Sequence, residues 1–68
     1  MEKNPNRVEV TTESVEIFVN GNSLLYWDIQ EIREDATVAF SIANAINVFY
    51  TQGPEAFKNA LVRRGYVF

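Results

Sequence analysis

The sequence predicts an α+β fold, a small antiparallel two- or three-stranded meander followed by two helices packed on one face, in the order ββ(β)αα. Alternating β-branched and aromatic residues flank an Asn20-Gly21 pair, which is the strongest short-range signal of a β-hairpin. After Asp35 the apolar residues recur at helical spacing. At 68 residues there is room for one α+β domain. We place it at 7–68, after a polar, disordered leader at 1–6.

The hairpin predicts which side chains share a face of the sheet. Around a two-residue Asn20-Gly21 loop, a regular register opposes Val19 with Asn22, Ile17 with Leu24, and Val15 with Tyr26. An earlier tight turn at Thr12-Glu13 would add a third strand, with Val10 opposite Val15 and Val8 opposite Ile17. The same register opposes Glu9 and Glu16, and two like charges in a cross-strand pair are destabilising.

The first helix is predicted to start after Asp35, whose carboxylate is a good N-cap, and to end at Gln52-Gly53. Residues 29–34 before it are interpreted as a charged linker. The inward arc of the helix is predicted to hold Val38, Ala39, Ile42, Ala43, Ala45, Ile46, Phe49 and Tyr50.

The second helix is predicted to start at Pro54, because proline is favoured at the first helical position. Gly65 would be its left-handed C-cap, and Phe57, Ala60 and Leu61 would form its apolar stripe. The segment Tyr66-Val67-Phe68 either closes the core or forms part of an interface.

The composition argues against an enzyme. Cysteine and histidine are both absent, which removes thiolate nucleophiles, the common zinc ligands and the usual neutral-pH general base. Each glycine is explained by a turn or a cap, so no phosphate-binding loop is present. The acidic residues between Asp28 and Asp35 lack the pattern of a calcium loop. We therefore expect no catalytic, cofactor-binding or metal-binding residues.

Charge and hydropathy narrow the choice of partner. A net charge of −3 has the wrong sign for neutralising several phosphates, so nucleic acid is disfavoured. The uncharged run from Ala36 to Gln52 contains several polar residues, which disfavours a membrane span. The N-terminal residues do not have the pattern of a signal peptide, so a cytoplasmic location is expected.

Two surfaces are predicted to bind a protein partner. In the regular register, Phe18, Leu25 and Trp27 lie on the reverse face of the hairpin, and aromatic anchors of this kind are enriched in binding hot spots. Phe40, Asn44 and Val48 lie on a side of the first helix that has no charged residue. The alternative for both surfaces is that the second helix or residues 66–68 cover them.

These features predict a non-enzymatic protein–protein interaction domain. It would be a small acidic regulator, inhibitor or adaptor that forms a homo-oligomer or binds a larger protein. One alternative is a nucleic-acid-binding domain that uses the two C-terminal helices, with Lys58, Arg63 and Arg64 as its cations. Another is a small-molecule binder with an aromatic pocket around Tyr26, Trp27 and Tyr50.

Overall fold

The computed structural model describes residues 3–68 and has the predicted α+β architecture. Its elements are β1 (Arg7–Val10), β2 (Ser14–Val19), β3 (Asn22–Asp28), α1 (Ile29–Glu34), α2 (Ala36–Gln52) and α3 (Pro54–Arg63). The strands form one antiparallel sheet in the order β1-β2-β3. Side chains of α2 and α3 pack together against β2, so the predicted meander with helices on one face is confirmed.

The hairpin between β2 and β3 turns at Asn20-Gly21 as predicted. Asn20 has φ 54° and Gly21 has φ 82°, and a type I′ turn requires positive φ at both positions. The amides of this turn donate to the Asn6 Oδ1 atom at 2.9 Å and to the Pro5 carbonyl at 2.9 Å. These bonds attach residues 5 and 6 to the hairpin. The disorder predicted for 1–6 stays a prediction. Residues 1 and 2 of that segment lie outside the described residues.

The predicted register of β3 is wrong beyond Ser23. Val19 does pair with Asn22, but Ile17 pairs with Leu25 and Val15 with Trp27. Leu24 is an extra residue in β3, because the register shifts between Ile17 and Phe18. Such a bulge reverses the faces of all later side chains in the strand. Trp27 and Leu25 therefore pack toward the core, and Tyr26 lies on the reverse face.

The first turn forms where it was predicted, although it has no glycine. Val10 pairs with Val15, and Glu9 pairs with Glu16 despite their like charges. The hydroxyl oxygen of Thr11 accepts from the amides of Glu13 at 3.1 Å and Ser14 at 3.0 Å. A threonine side chain thus stabilises this turn, as Ser and Thr hydroxyls do in short loops.

The linker predicted at 29–34 is instead the short helix α1. Asp28 is its N-cap and accepts from the Gln30 amide at 2.8 Å, while Glu31 Oε2 accepts from the Asp28 amide at 3.3 Å. These two bonds form a capping box, which satisfies amides that the first helical turn leaves free. The spacing Asp28-x-x-Glu31 was visible in the sequence and is the signal that the linker interpretation missed.

The two long helices have the predicted limits. Asp35 caps α2 through the Thr37 amide at 2.9 Å, and α2 ends before Gly53, which has φ 95°. Pro54 starts α3. The core-facing arc of α2 is rotated by about 50° from the predicted one. Ala39, Ala43 and Tyr50, predicted to face inward, are exposed, and Val48 is half-buried instead.

The core lies between β2 and the two long helices. Its buried cluster consists of Ile17, Val19, Phe49, Phe57 and Leu61. The rings of Phe49 and Phe57 meet edge to face with centroids 5.8 Å apart, a favourable aromatic geometry. Seven hydrophobic residues are buried in all among the described residues, the small core expected of a domain of this size.

Candidate binding site

A groove of about 200 Å³ opens beside the core, between β3, α2 and α3. Leu25 and Trp27 form its β3 side, because the bulge at Leu24 turns them toward the helices. The α2 side is formed by Ser41, Asn44, Ala45 and Val48. The α3 side is formed by Phe57, Ala60, Leu61 and Arg64.

Tyr66 also lines the groove, and its backbone is fixed by hydrogen bonds at the end of α3. The Tyr66 amide donates to the Leu61 carbonyl at 3.1 Å, and the Gly65 amide donates to the Val62 carbonyl at 3.0 Å. This is the Schellman arrangement, in which Gly65 takes the left-handed conformation that its φ of 97° shows. The predicted C-cap is confirmed, and the cap also positions an aromatic side chain at the groove.

The groove combines an apolar floor with polar groups. The apolar side chains of Leu25, Val48 and Leu61 line the groove. The Ser41 hydroxyl donates to the Thr37 carbonyl at 3.2 Å, so its lone pairs remain free to accept. Within the described chain, Arg64 is the one charged residue that lines the groove. Such a site offers a ligand both apolar contacts and hydrogen-bonding groups.

The six residues predicted to bind a partner lie in three different places. Leu25, Trp27, Asn44 and Val48 come together in the groove, although they were predicted on two separate surfaces. The shared reverse face predicted for Phe18, Leu25 and Trp27 is therefore wrong. Of these three residues, only Phe18 lies on the reverse face of the sheet.

Phe18 is not a free aromatic anchor. The guanidinium carbon of Arg7 lies 4.0 Å from the centroid of the Phe18 ring, which is a cation–π contact. Arg7 Nη1 also donates to the Asn4 carbonyl at 2.9 Å, and Arg7 Nε lies 3.5 Å from Glu9 Oε1. Glu9 is further paired with Lys3 at 2.8 Å. The hydrogen bond from Lys3 lowers the pKa of the Glu9 carboxyl, which favours its charged form in this contact.

Phe40 lies on a third surface, the outer face of α2. We define this face by Ala36, Phe40, Ala43, Asn47 and Tyr50, all of them exposed. The side chain of Phe40 is 77% exposed and that of Tyr50 is 67% exposed. The 17 residues of α2 include no acidic or basic side chain. Large aromatic rings on an uncharged helix face are unusual for surface that stays in contact with water.

The residues of the predicted aromatic pocket are not together. Tyr26 pairs with Glu16 on the reverse face of the sheet, and Tyr50 lies on the outer face of α2 with its ring 5.2 Å from that of Phe49. Trp27 alone lines the groove. The grouping of Tyr26, Trp27 and Tyr50 was wrong because Tyr26 and Tyr50, both predicted to face the core, are exposed on different surfaces.

The three C-terminal residues are exposed and do not belong to the buried core. Tyr66 is 46% exposed, Val67 94% and Phe68 51%, and the rings of Tyr66 and Phe68 stack with centroids 6.0 Å apart. Phe68 lines a second cavity of about 400 Å³ with Asn22, Ser23, Leu24 and Lys58.

Residues 3–68 contain neither a membrane-spanning helix nor a cluster of metal ligands. No helix there is long and apolar enough to cross a membrane. No group of three acidic side chains in that range could hold a metal ion. Comparison of the chain with protein-family models, with curated proteins and with solved structures finds no match.

Proposed function

We propose that this chain is a non-enzymatic protein–protein interaction domain, a small acidic regulator or adaptor, and that it associates through the outer face of α2. One observation carries the proposal. The outer face exposes Phe40 and Tyr50 by 77% and 67% on a helix without charged residues. Depletion of charge and enrichment of aromatic residues characterise the centres of protein interfaces.

The spacing on this face favours another helix as the partner. Ala36, Phe40, Ala43, Asn47 and Tyr50 follow one another at alternating intervals of four and three residues, which is the spacing of a helix–helix seam. The aromatic rings lie about 15 Å apart along the axis, on either side of Asn47. A polar Asn within such a seam selects one register, because only one alignment satisfies its amide.

A second copy of the chain is the partner that this face fits best. An uncharged surface has no charge repulsion to overcome when it meets itself, whereas the chain as a whole carries a net charge of −3. A two-fold dimer would place the same face of α2 on both sides of the contact. A larger protein with an apolar groove and a basic rim is the alternative, since a basic rim would attract the acidic chain. The cytoplasmic location stays a prediction from the sequence.

Light scattering coupled to size exclusion tests this proposal. The wild type is compared with Phe40→Glu and with Val62→Glu, a matched change at a residue of α3 that is 50% exposed. Loading concentrations cover about 1 μM to 1 mM, the range of weak association. The mass of the wild type and of Val62→Glu should rise toward twice that of the 7.8-kDa chain. Phe40→Glu should remain a monomer.

Two results would count against the proposal. If Phe40→Glu associates as strongly as the wild type, the outer face of α2 is not the contact surface. If the wild type is monomeric throughout the range, the second copy is excluded as the occupant. The alternative, binding to a larger protein through the outer face of α2, also fails if Phe40→Glu and Val62→Glu pull down the same proteins as the wild type.

A further inference from the structure

We propose that the groove between β3, α2 and α3 binds a small monocarboxylate that has a single apolar ring. This inference does not depend on association through the outer face of α2, because the groove lies on a different side of that helix. It rests on the size of the groove, on its one positive charge and on the hydrogen-bond donors around it.

The size of the groove is comparable to that of a single aromatic ring. A cavity of about 150 Å³ lined by aliphatic and aromatic residues holds one benzene molecule. The groove measures about 200 Å³, so it has room for one ring and a short arm of two or three carbons. Leu25, Val48, Phe57 and Leu61 supply the apolar contacts for such a ring.

The charge at the groove complements an anion. Arg64 is the one charged lining residue within the described part of the chain, and no carboxylate opposes it there. The two ion pairs found among residues 3–68 both involve Glu9, so Arg64 takes part in neither. A guanidinium presents paired N–H donors that match the two oxygens of a carboxylate.

The remaining polar groups also favour an acceptor-rich ligand. The indole N–H of Trp27, the amide of Asn44 and the hydroxyl of Tyr66 belong to lining residues that can each donate a hydrogen bond. A single guanidinium balances one negative charge, so a monocarboxylate fits this site better than a dianion such as a phosphate monoester. A neutral ligand of the same shape would lack the electrostatic attraction to the guanidinium of Arg64.

Fluorescence of Trp27 gives a direct readout, because Trp27 is the only tryptophan in the chain and lines the groove. The full chain is titrated with 3-phenylpropanoate and, separately, with 3-phenylpropanamide, which has the same shape and no charge. We expect a saturable change with both ligands. The carboxylate should bind about tenfold more tightly, because hydrogen bonds between charged groups are roughly twice as strong as neutral ones.

Adjacent arginines provide a matched pair of variants. Arg64→Gln and Arg63→Gln remove the same charge, but only Arg64 lines the groove. Arg64→Gln should reduce the affinity ratio of carboxylate to amide to about one, and Arg63→Gln should leave the tenfold ratio unchanged. Arg64→Lys, which keeps the charge, should retain part of the ratio. Circular dichroism confirms that each variant is folded.

Three results would overturn the inference. Absence of saturable binding by the carboxylate excludes the site. Equal affinities of the wild type for carboxylate and amide exclude the role of Arg64. An equal loss in Arg63→Gln and Arg64→Gln would show that net charge, and not the groove, attracts the ligand. None of these results bears on self-association, which Phe40→Glu tests separately.

Discussion

Leu25, and not Leu24, lies opposite Ile17 in the pairing of β2 with β3. Ile17 is completely buried, so the residue opposite it belongs to the face that packs against the helices. One extra residue in β3 thus decides that Trp27 lines the groove and that Tyr26, 56% exposed, lies on the other side of the sheet.

The register predicts unequal effects of two neighbouring substitutions. Trp27→Ala should lower the free energy of unfolding by about 2 kcal/mol, since Trp27 is half-buried and truncation of a fully buried Trp costs about 3–5 kcal/mol. Tyr26→Ala should lower it by about 0.5 kcal/mol, as substitutions at exposed positions do. Urea denaturation followed by far-ultraviolet circular dichroism measures both. The regular register would give the reverse order.

The packing of the core predicts that substitutions at buried and exposed positions of α3 differ in their effect on stability. Phe57 is 2% exposed and contacts Phe49, whereas Val62 is 50% exposed. Phe57→Ala should cost about 3–5 kcal/mol, which is comparable to the whole stability that one small core supplies. That variant should be largely unfolded at 25 °C, and Val62→Ala should unfold near the wild-type midpoint. Thermal melts would contradict this packing if the two variants had equal midpoints.

The N-cap of α2 predicts a dependence of stability on pH. The hydroxyl of Thr37, 2.7 Å from Asp35 Oδ1, and then its backbone amide lower the pKa of Asp35 below the usual 3.8. A carboxyl whose pKa is lower in the folded state stabilises the fold above its unfolded pKa. That contribution is lost as the pH falls through the folded pKa.

The wild type should therefore lose stability on acidification below about pH 5, where unfolded Asp begins to bind a proton. Asp35→Asn keeps an acceptor for the cap and cannot titrate, so its melting temperature should fall less steeply in that range. Glu9, whose pKa is also lowered, should account for part of the remaining slope. Equal slopes for the two proteins would show that the cap is not linked to the titration.

The C-cap of α3 predicts a preference for residues that tolerate positive φ. Gly65 has φ 97°, and a β-branched side chain is strained there. Gly65→Val should cost about 1–2 kcal/mol, whereas Gly65→Asn should cost less because Asn adopts left-handed conformations more readily. Chemical denaturation measures the difference. If Gly65→Val and Gly65→Asn lost the same stability, the positive φ at position 65 would not be the cause of the loss.

Features that depend on local chemistry could be predicted from the sequence. The positive φ required at Asn20 and Gly21, the Asp35 cap and the Pro54 start are each decided by a few neighbouring residues. Gly65 belongs to the same group. These signals predicted the order of the elements except for α1. That helix was missed because the Asp28-x-x-Glu31 spacing was not interpreted as a capping box.

The candidate sites depended on long-range packing and could be predicted only in part. The four consecutive apolar residues from Leu24 to Trp27 are compatible with either face, and the sequence does not say which residue bulges. The same holds for the rotation of α2, which places Val48 inward and Tyr50 outward. The absence of charge along α2 can be read directly from the sequence, but of the predicted patch only Phe40 lies on the outer face, and Tyr50 of that face was predicted to point inward.

Site-specific photo-crosslinking tests the central claim, association through the outer face of α2, most directly. A benzophenone amino acid replaces either Phe40 or Tyr26, two exposed aromatic residues on different surfaces, and the cells that express the protein are irradiated. Our account predicts a crosslinked adduct from position 40, larger than the 7.8-kDa chain, and none from position 26. No adduct from position 40, or an equal yield from position 26, would contradict it.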